Sequence, residues 1–325
     1  GKVMRMEMTS KTKSLIQNNL VLMMIVVLAV ITAFVEPKFF SFANLGNLMN
    51  QFGPLSFVSL GMTIAIIGGF IDLSVAGIVS LSAVFTISMI DPLGQVGALI
   101  AGILAGALMG LLNGVIVLSC GALTQAKALF MTYALSSVYS AVALLYTDGA
   151  TQHMSHLSSP ITLFQTIGSG KVGFVPVSFI LFFVIMAALH VFLTRTKTGR
   201  EVCLTGANIT SSELVGVPVK QRVVLVYVLS GALAAFGSIV LFSRITTASP
   251  LLGANYETNA ILAVVVGGTS LIGGRGSVVR TMLGVLLVTL LSNCLNLLGV
   301  STYLQSVCKG AILIIAIWID RRRAK

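Results

Sequence analysis

Charged side chains are scarce in this sequence: they make up 9% of its 325 residues, where a soluble globular domain carries about 25%. That shortage excludes a surface that faces water all round. Strict alternation of apolar and polar residues is missing too, which excludes the strands of a membrane β-barrel. The four cysteines, Cys120, Cys203, Cys294 and Cys308, form no CxxC pair and are expected to be free thiols. The residue sets of common catalytic sites are also lacking. No Walker A pattern occurs, and the GxGxxG match at 168–173 follows no strand. His153 and His156 share HxxH spacing without a further ligand nearby, and His190 stands alone near the end of an apolar run. No nucleophile lies beside a base. The chain is therefore expected to be no enzyme and to hold no cofactor or metal of its own.

What is present is apolar sequence: 56% of the residues are hydrophobic and the mean hydropathy is +1.02. In hydrocarbon the backbone must satisfy its own polar groups, so continuous apolar runs must be helices, each of about 20 residues. Spans are expected near 16–35, 53–70, 73–90, 95–119, 127–147, 174–194, 223–243, 257–273, 279–298 and 302–319. The fold expected is an all-α polytopic bundle of about ten transmembrane helices, forming a single domain over 1–325. The first run has no small-residue cleavage site and reads as a retained helix. The connections around 70–73 and 273–279 are tight enough for re-entrant or broken helices, which are tolerated where buried in protein or lining a cavity. The echo of Ile67-Gly68-Gly69 in Val266-Gly267-Gly268 is too short to count as a repeat.

The net charge of +11 does not point to nucleic acid, because the basic residues sit in short clusters between apolar runs. With ten spans and the N-terminus inside, Lys2, Arg5, Lys11, Lys13, Arg195, Lys197, Arg200, Lys220, Arg222, Arg275, Arg280, Arg321, Arg322, Arg323 and Lys325 are cytosolic. Only Lys38, Lys171 and Arg244 fall outside, and Lys127 and Lys309 lie within or at the edge of spans. The positive-inside rule thus favours an even count with both termini in the cytosol. The long loop 148–173 is then external and the loop 195–222 cytosolic.

A few polar residues interrupt the apolar runs. Asp72 lies between two charge-free stretches, in Gly68-Gly69-Phe70-Ile71-Asp72-Leu73-Ser74. An aspartate inside a membrane costs about 2.5–3.5 kcal/mol, so such groups usually face a pathway or a partner; the other reading is a turn that caps the helix from Leu73. Glu257 and Asn259 open the eighth span, 13 positions after Arg244. They suit either a polar vestibule for a hydroxyl-rich solute, with an Arg244 pair across its mouth, or ordinary helix-start chemistry. Asn113, Asn293 and Asn296 lie inside spans and suit either interhelical hydrogen bonds or a sugar-lined path. In the inner loop, Gly206-Ala207-Asn208 and Ser211–Val217 read as a short amphipathic helix, capped near Asn208 or Thr210 and stopped at Gly216. Such a helix either packs on the bundle or docks into a partner's groove.

Several of these segments, taken in order, resemble the permease subunits of bacterial ABC importers for monosaccharides, the ribose/xylose/galactose-type branch, which is related to the branched-chain amino acid permeases. The resemblance covers nearly the whole chain. It is carried by Gly61-Met62, Gly69–Val75, Gly199-Arg200, Gly206–Asn208, Gly216-Val217, Tyr227–Gly231, Tyr256–Ile261, Val266–Leu271, Gly273–Ser277 and Asn296–Val300. It implies a pathway formed by two permeases, with a second copy or a sister chain as partner. Two cytosolic ATPase subunits would carry the ATP and magnesium, and a periplasmic or lipid-tethered sugar-binding protein would deliver the solute. The location implied is the bacterial inner membrane. The family's coupling helix maps onto Asn208–Val217, so Arg200, Gly206, Asn208, Glu213, Gly216 and Val217 are expected to meet the ATPase. Asp72, Ser74, Glu257, Asn259, Asn293 and Asn296 are expected to approach the solute path.

The sequence departs from the family's pattern at Ala76-Gly77, at Leu123–Phe130 with its Lys127, at Ser211-Ser212-Glu213 and at Arg280. The other readings are a permease for branched-chain amino acids or another small polar solute, and a secondary transporter without an ATPase. Coupled carriers usually show several intramembrane ionisable groups, and here Asp72, Lys127, Glu257 and Lys309 are the only candidates.

Overall fold

The computed structural model of the chain describes residues 20–323. The beginning of the first expected span and the basic residues Lys2, Arg5, Lys11, Lys13 and Lys325 lie outside the described residues, as do the side chains of Arg321, Arg322 and Arg323. The protein is an all-α polytopic membrane protein. Its first helices are α1 (Leu20–Val35), α2 (Phe42–Ile67), α3 (Val75–Ser88), α4 (Ile90–Ser119) and α5 (Gln125–Thr147). The segment that follows holds a short strand β1 (Gln152–His153), helix α6 (Thr162–Ser169) and a hairpin of β2 (Lys171–Val172) and β3 (Val175–Pro176). Then come α7 (Val177–Arg195), α8 (Lys197–Ala207), α9 (Ile209–Leu214), α10 (Val219–Ile245), β4 (Thr247–Ala248), α11 (Tyr256–Val266), α12 (Val278–Leu297) and α13 (Thr302–Arg323). Among the described residues, α2, α4, α5, α7, α10 and α12 are long and apolar enough to cross a membrane. Helices α1, α3, α11 and the described part of α13 are shorter apolar stretches.

Helices α2 and α10 form the centre. Of the most apolar stretch of α2, 89% is buried, against 17% for α7 at the periphery. A helix covered on all sides belongs to a core, and α2 mixes Ser, Thr and Asn among its apolar residues because its neighbours are protein. Edge-on ring contacts fasten it: Phe52 to Phe182 of α7 at 4.9 Å and Phe57 to Phe236 of α10 at 4.7 Å. The closest helix pair is α4 and α10. Gly102, Gly106, Gly110 and Gly114 recur every fourth residue along one face of α4. A Cβ at Gly106 would meet the Gly231 carbonyl, and one at Gly110 would meet the Tyr227 carbonyl. Small residues let helix backbones touch in a membrane, and here the stripe is consumed inside the chain.

Three expected spans differ from the helices observed. Helix α2 starts at Phe42 rather than near 53: Asn44, Asn47, Asn50 and Gln51 lower the hydropathy of its first turns, and of these Asn44 is buried and bonded inside the protein, to Asn293 and the Phe39 carbonyl. The expected spans 73–90 and 257–273 are only the 14 residues of α3 and the 11 of α11. At 1.5 Å per residue they reach about 21 Å and 16 Å, short of a hydrocarbon core of about 30 Å. Both are half-helices beside glycine turns. Gly69 N–H bonds the Ile66 carbonyl and Phe70 N–H the Ala65 carbonyl; Gly268 N–H and Thr269 N–H bond Val265 and Val264 in the same pattern. The short echo between the two sites is thus one turn made twice.

At the opposite end of the bundle the segment 148–176 is strapped down. Strands β1 and β4 pair antiparallel. Asp91, at the start of α4, accepts from the N–H groups of Ser158 and Ser159, and Gln95 accepts from that of Leu163. The four cysteines are free, as the sequence suggests.

Candidate functional site

After Gly69 the chain leaves the helix and runs through the bundle interior to Ser74. Backbone groups there need partners that a helix would have supplied, and α5 provides them. Thr132 Oγ1 accepts from Leu73 N–H at 3.1 Å and donates to the Ile71 carbonyl at 3.3 Å; one turn on, Ser136 Oγ accepts from Gly77 N–H at 3.1 Å. Asp72 sits in this stretch with no exposed surface. Its Oδ1 accepts from the N–H and hydroxyl of Ser74, and its Oδ2 from Ser230 Oγ of α10 at 2.8 Å. Asn113 of α4 donates to Ser74 Oγ at 2.6 Å, and Tyr139 of α5 donates to Asn113 Oδ1 at 2.7 Å. One carboxylate thereby ties α3, α4, α5 and α10 together. Asp72 has a partner across the bundle in Ser230, whereas the cap position of α3 falls to Ser74, whose own N–H donates to Asp72, so Asp72 does not cap the helix. Nothing in the sequence pairs Ser230 with it, since 158 positions separate them.

A second extended stretch approaches from the other end. Gly253 packs against the Ala76 carbonyl and its N–H bonds Ser80 Oγ at 2.9 Å, so the segment before α11 reaches the first turns of α3. Glu257 lies in the first turn of α11, where an acid suits the helix dipole. Its Oε2 is buried without a hydrogen-bond partner among the described residues. Asn259, two residues further in the same turn, is half-buried. Arg244 does not pair with Glu257; it donates to the Asn50 carbonyl at 3.2 Å.

Two further asparagines in spans are bonded within the chain. Asn293 is buried and exchanges hydrogen bonds with Asn44, at 2.9 Å and 3.0 Å, which fastens α12 to α2. Asn296 is exposed and accepts from Gln305 of α13 at 2.7 Å. Lys127 lies exposed in the first turn of α5, whose Thr124 cap accepts from its N–H. The lysine thus stands at a helix end, where its long side chain can reach the interface.

The inner loop forms two helices. Glu201 of α8 is buried and takes Arg222 of α10 at 2.7 Å and Lys197 at 3.8 Å, the two ion pairs among the described residues. Asn208 ends α8 and caps α9, accepting from Ser211 N–H at 2.8 Å. Gly216 takes a positive φ of 81° to turn the chain towards α10. Arg200, Asn208, Glu213 and Gly216 are exposed, whereas Val217 is buried beside Phe70, Val219 and Tyr227. Gly206 faces inward too, against the Ile67 carbonyl. Leu214 and Val215 at the tip of α9 are 83% and 73% exposed. In the partly buried α8, desolvation lifts the Cys203 thiol above its ordinary pKa.

Residues 44–317 match the family described as branched-chain amino acid transport system / permease component. The ribose import permease protein RbsC of Haemophilus influenzae is 33% identical over 299 residues, covering 91% of this chain and 90% of its own. Its counterpart in Bacillus subtilis is 36% identical over 310 residues, covering 92% and 91%. The D-allose transport system permease protein AlsC of Escherichia coli is 29% identical over 307 residues, again covering 92% and 91%. No solved structure matches the chain.

Proposed function

The chain belongs to the family of branched-chain amino acid transport system permease components, and on that premise we propose that it is the permease subunit of an ATP-binding-cassette importer for a monosaccharide. Its matched relatives are named for ribose, allose and galactose. It is a multi-pass protein of the inner membrane and a transport component, not an enzyme. Ten crossings are assigned, α1, α2, α4, α5, α7, α10, α12 and α13 as helices, and α3 and α11 each together with the extended segment that precedes it, with both termini cytosolic and 1–325 forming one transmembrane domain. The face that carries α8, α9 and residues 268–277 is then the cytosolic one, since Arg195, Lys197, Arg200, Lys220, Arg222, Arg275 and Arg280 gather there.

The observation that carries the ATP-driven reading is the tip of α9. A helix of six residues, capped at both ends, holds two large apolar side chains out at the basic, water-facing end of the molecule. Exposed apolar groups on a braced helix suit insertion into a groove, here one on a cytosolic ATPase that binds ATP and magnesium. The loop 195–222 is the coupling loop, with Arg200, Asn208 and Glu213 on its outer surface. Solute delivered by a periplasmic binding protein would pass between this permease and a second copy or sister chain. Glu257 and Asn259 are assigned to the solute. Asp72, Ser74 and Asn293 support the path by holding its walls, and Asn296 by tying α12 to α13; their bonds within the chain favour that division.

The test is a pull-down of the tagged chain from its native membrane, followed by uptake in liposomes. Recovery of an ATPase subunit with ATP-dependent uptake of a pentose or hexose is the expected result. Uptake of a branched-chain amino acid instead would redirect the substrate. A chain that purifies alone and transports without ATP is a secondary carrier.

A further inference from the structure

Three stretches of backbone cross at one point on the face that carries α8 and α9. The first is the end of α2, Ile67 to Gly69. The second is the last turn of α8 at Gly206. The third is the loop between α11 and α12, at Gly273 and Gly274. The Gly274 N–H bonds the Ile67 carbonyl at 2.8 Å, which joins the first stretch to the third directly. Gly206 is wedged between them. A Cβ there would collide with the Ile67 carbonyl and come within 2.8 Å of Gly274 N and of the Gly68 carbonyl carbon. From the other side, a Cβ at Gly273 would lie 2.6 Å from the Gly206 carbonyl oxygen and 2.8 Å from Gly69 Cα. Gly69 and Gly273 carry φ values of 90° and 95°, where a side chain is strained in any case.

Contacts of this kind transmit displacement differently from side-chain contacts. A long side chain can change rotamer and absorb a shift, whereas backbone pressed on backbone has nothing to rotate. Helix α8 is itself braced, through Glu201 and Arg222, to the start of α10, and α9 follows it after a single residue. Both stretches that Gly206 touches adjoin half-helices: the turn at Gly69 leads into α3, and the loop at Gly273 follows α11. Those two half-helices belong to segments that meet inside the bundle, where Gly253 packs on Ala76.

We propose that Gly206 is the joint through which α8 and α9 move the two helix breaks together, so that transport depends on the absence of a side chain at this position. Gly206 is then a positioning residue, which acts on the path through Gly69 and Gly273 and touches neither solute nor ATPase. The proposal rests on the coupling role assigned above to the loop 195–222.

The direct test is Gly206→Ala in the assembled importer, reconstituted in liposomes with its ATPase and binding protein, measuring solute uptake and ATP hydrolysis in the same vesicles. The expected result is that uptake per ATP hydrolysed falls by about tenfold, the size of an ordinary coupling between sites. An unchanged ratio overturns the proposal. Because that variant can also fail to assemble, a second measurement keeps residue 206 intact. Spin labels go on Glu213→Cys with either Ile272→Cys in the glycine loop or Val184→Cys on the periphery of α7, the native cysteines being replaced by serine. On ATP binding, the distance from 213 to 272 should hold while that from 213 to 184 changes. If the 213–272 distance changes as much as the other, the joint slips and the inference is wrong although coupling stands. If neither distance changes, the coupling role itself falls, and the joint with it.

Discussion

At the scale of single residues, the carboxylate of Asp72 is costly to replace. It accepts three hydrogen bonds in an interior with no exposed surface. Removing it leaves the Ser74 and Ser230 hydroxyls without their acceptor. Asp72→Ala is expected to cost about 2–4 kcal/mol, since buried groups deprived of partners lose their full desolvation energy. Thermal unfolding of the detergent-purified chain would show this as a lower midpoint, and Asp72→Asn should lower it less. Uptake should fall in step with stability at unchanged KM; a rise in KM in a variant of normal stability would mean that Asp72 touches the solute instead. The sequence makes Asp72 conspicuous because a lone acid between apolar runs stands out on any hydropathy reading. Its partners are not legible in the same way. Ser230 is an ordinary residue of an apolar helix, and although the sequence marks Asn113 as suited to bonds between helices, its meeting with Ser74 and Tyr139 beside Asp72 is a property of the packed bundle. Asn293 shows the same limit, since its exchange with Asn44 spans 249 positions.

At the scale of elements, the glycine stripe of α4 decides how near α4 and α10 can come. Gly110 faces the Tyr227 carbonyl, and a Cβ there would also lie 3.0 Å from Val228 Cα. Gly110→Val is therefore expected to force the helices apart and to destabilise by at least the 1–3 kcal/mol or so typical of overpacking. Gly310 of α13 has nothing within reach of a Cβ; Gly310→Ala should hold or raise the midpoint, as helix propensity favours alanine by about 1 kcal/mol. Paired melting curves of the two variants separate packing from propensity. Hydropathy locates the peripheral helices well, because lipid is their solvent and their composition reports it. It fails where protein replaces lipid. The first eleven residues of α2 read as a loop although they are helical; α11 reads as a full span because apolar sequence continues past the glycine turn at 267–268, and α3 because Leu73 and Met89-Ile90 lengthen its apolar run. The short helix α9, with its Asn208 cap and Gly216 stop, is legible because capping is a local signal.

At the scale of the whole molecule, the predicted route of work runs from α9 to the interior. Leu214→Ser combined with Val215→Ser is expected to abolish ATP-dependent uptake while the chain still inserts and melts cooperatively, because both side chains are 73% or more exposed and contribute little to the core; retained uptake would refute the coupling role. The central position of α2 has a consequence for synthesis. Its modest apolar character suits a site surrounded by protein, yet the ribosome makes it long before the helices that surround it. Helix α10 begins about 150 residues after Ile67, so at roughly 5–20 residues per second α2 waits roughly 8–30 s for its main neighbour. During that interval its asparagines, serines and threonines face the translocon or lipid without partners. A chain halted after Arg195 should therefore leave α2 poorly inserted, which glycosylation mapping of the 37–41 turn would detect, and completion of α10 and α12 should draw it in. The order of emergence and the order of assembly are thus different in this protein, and the helix on which the rest of the bundle is built is among the last to reach its final surroundings.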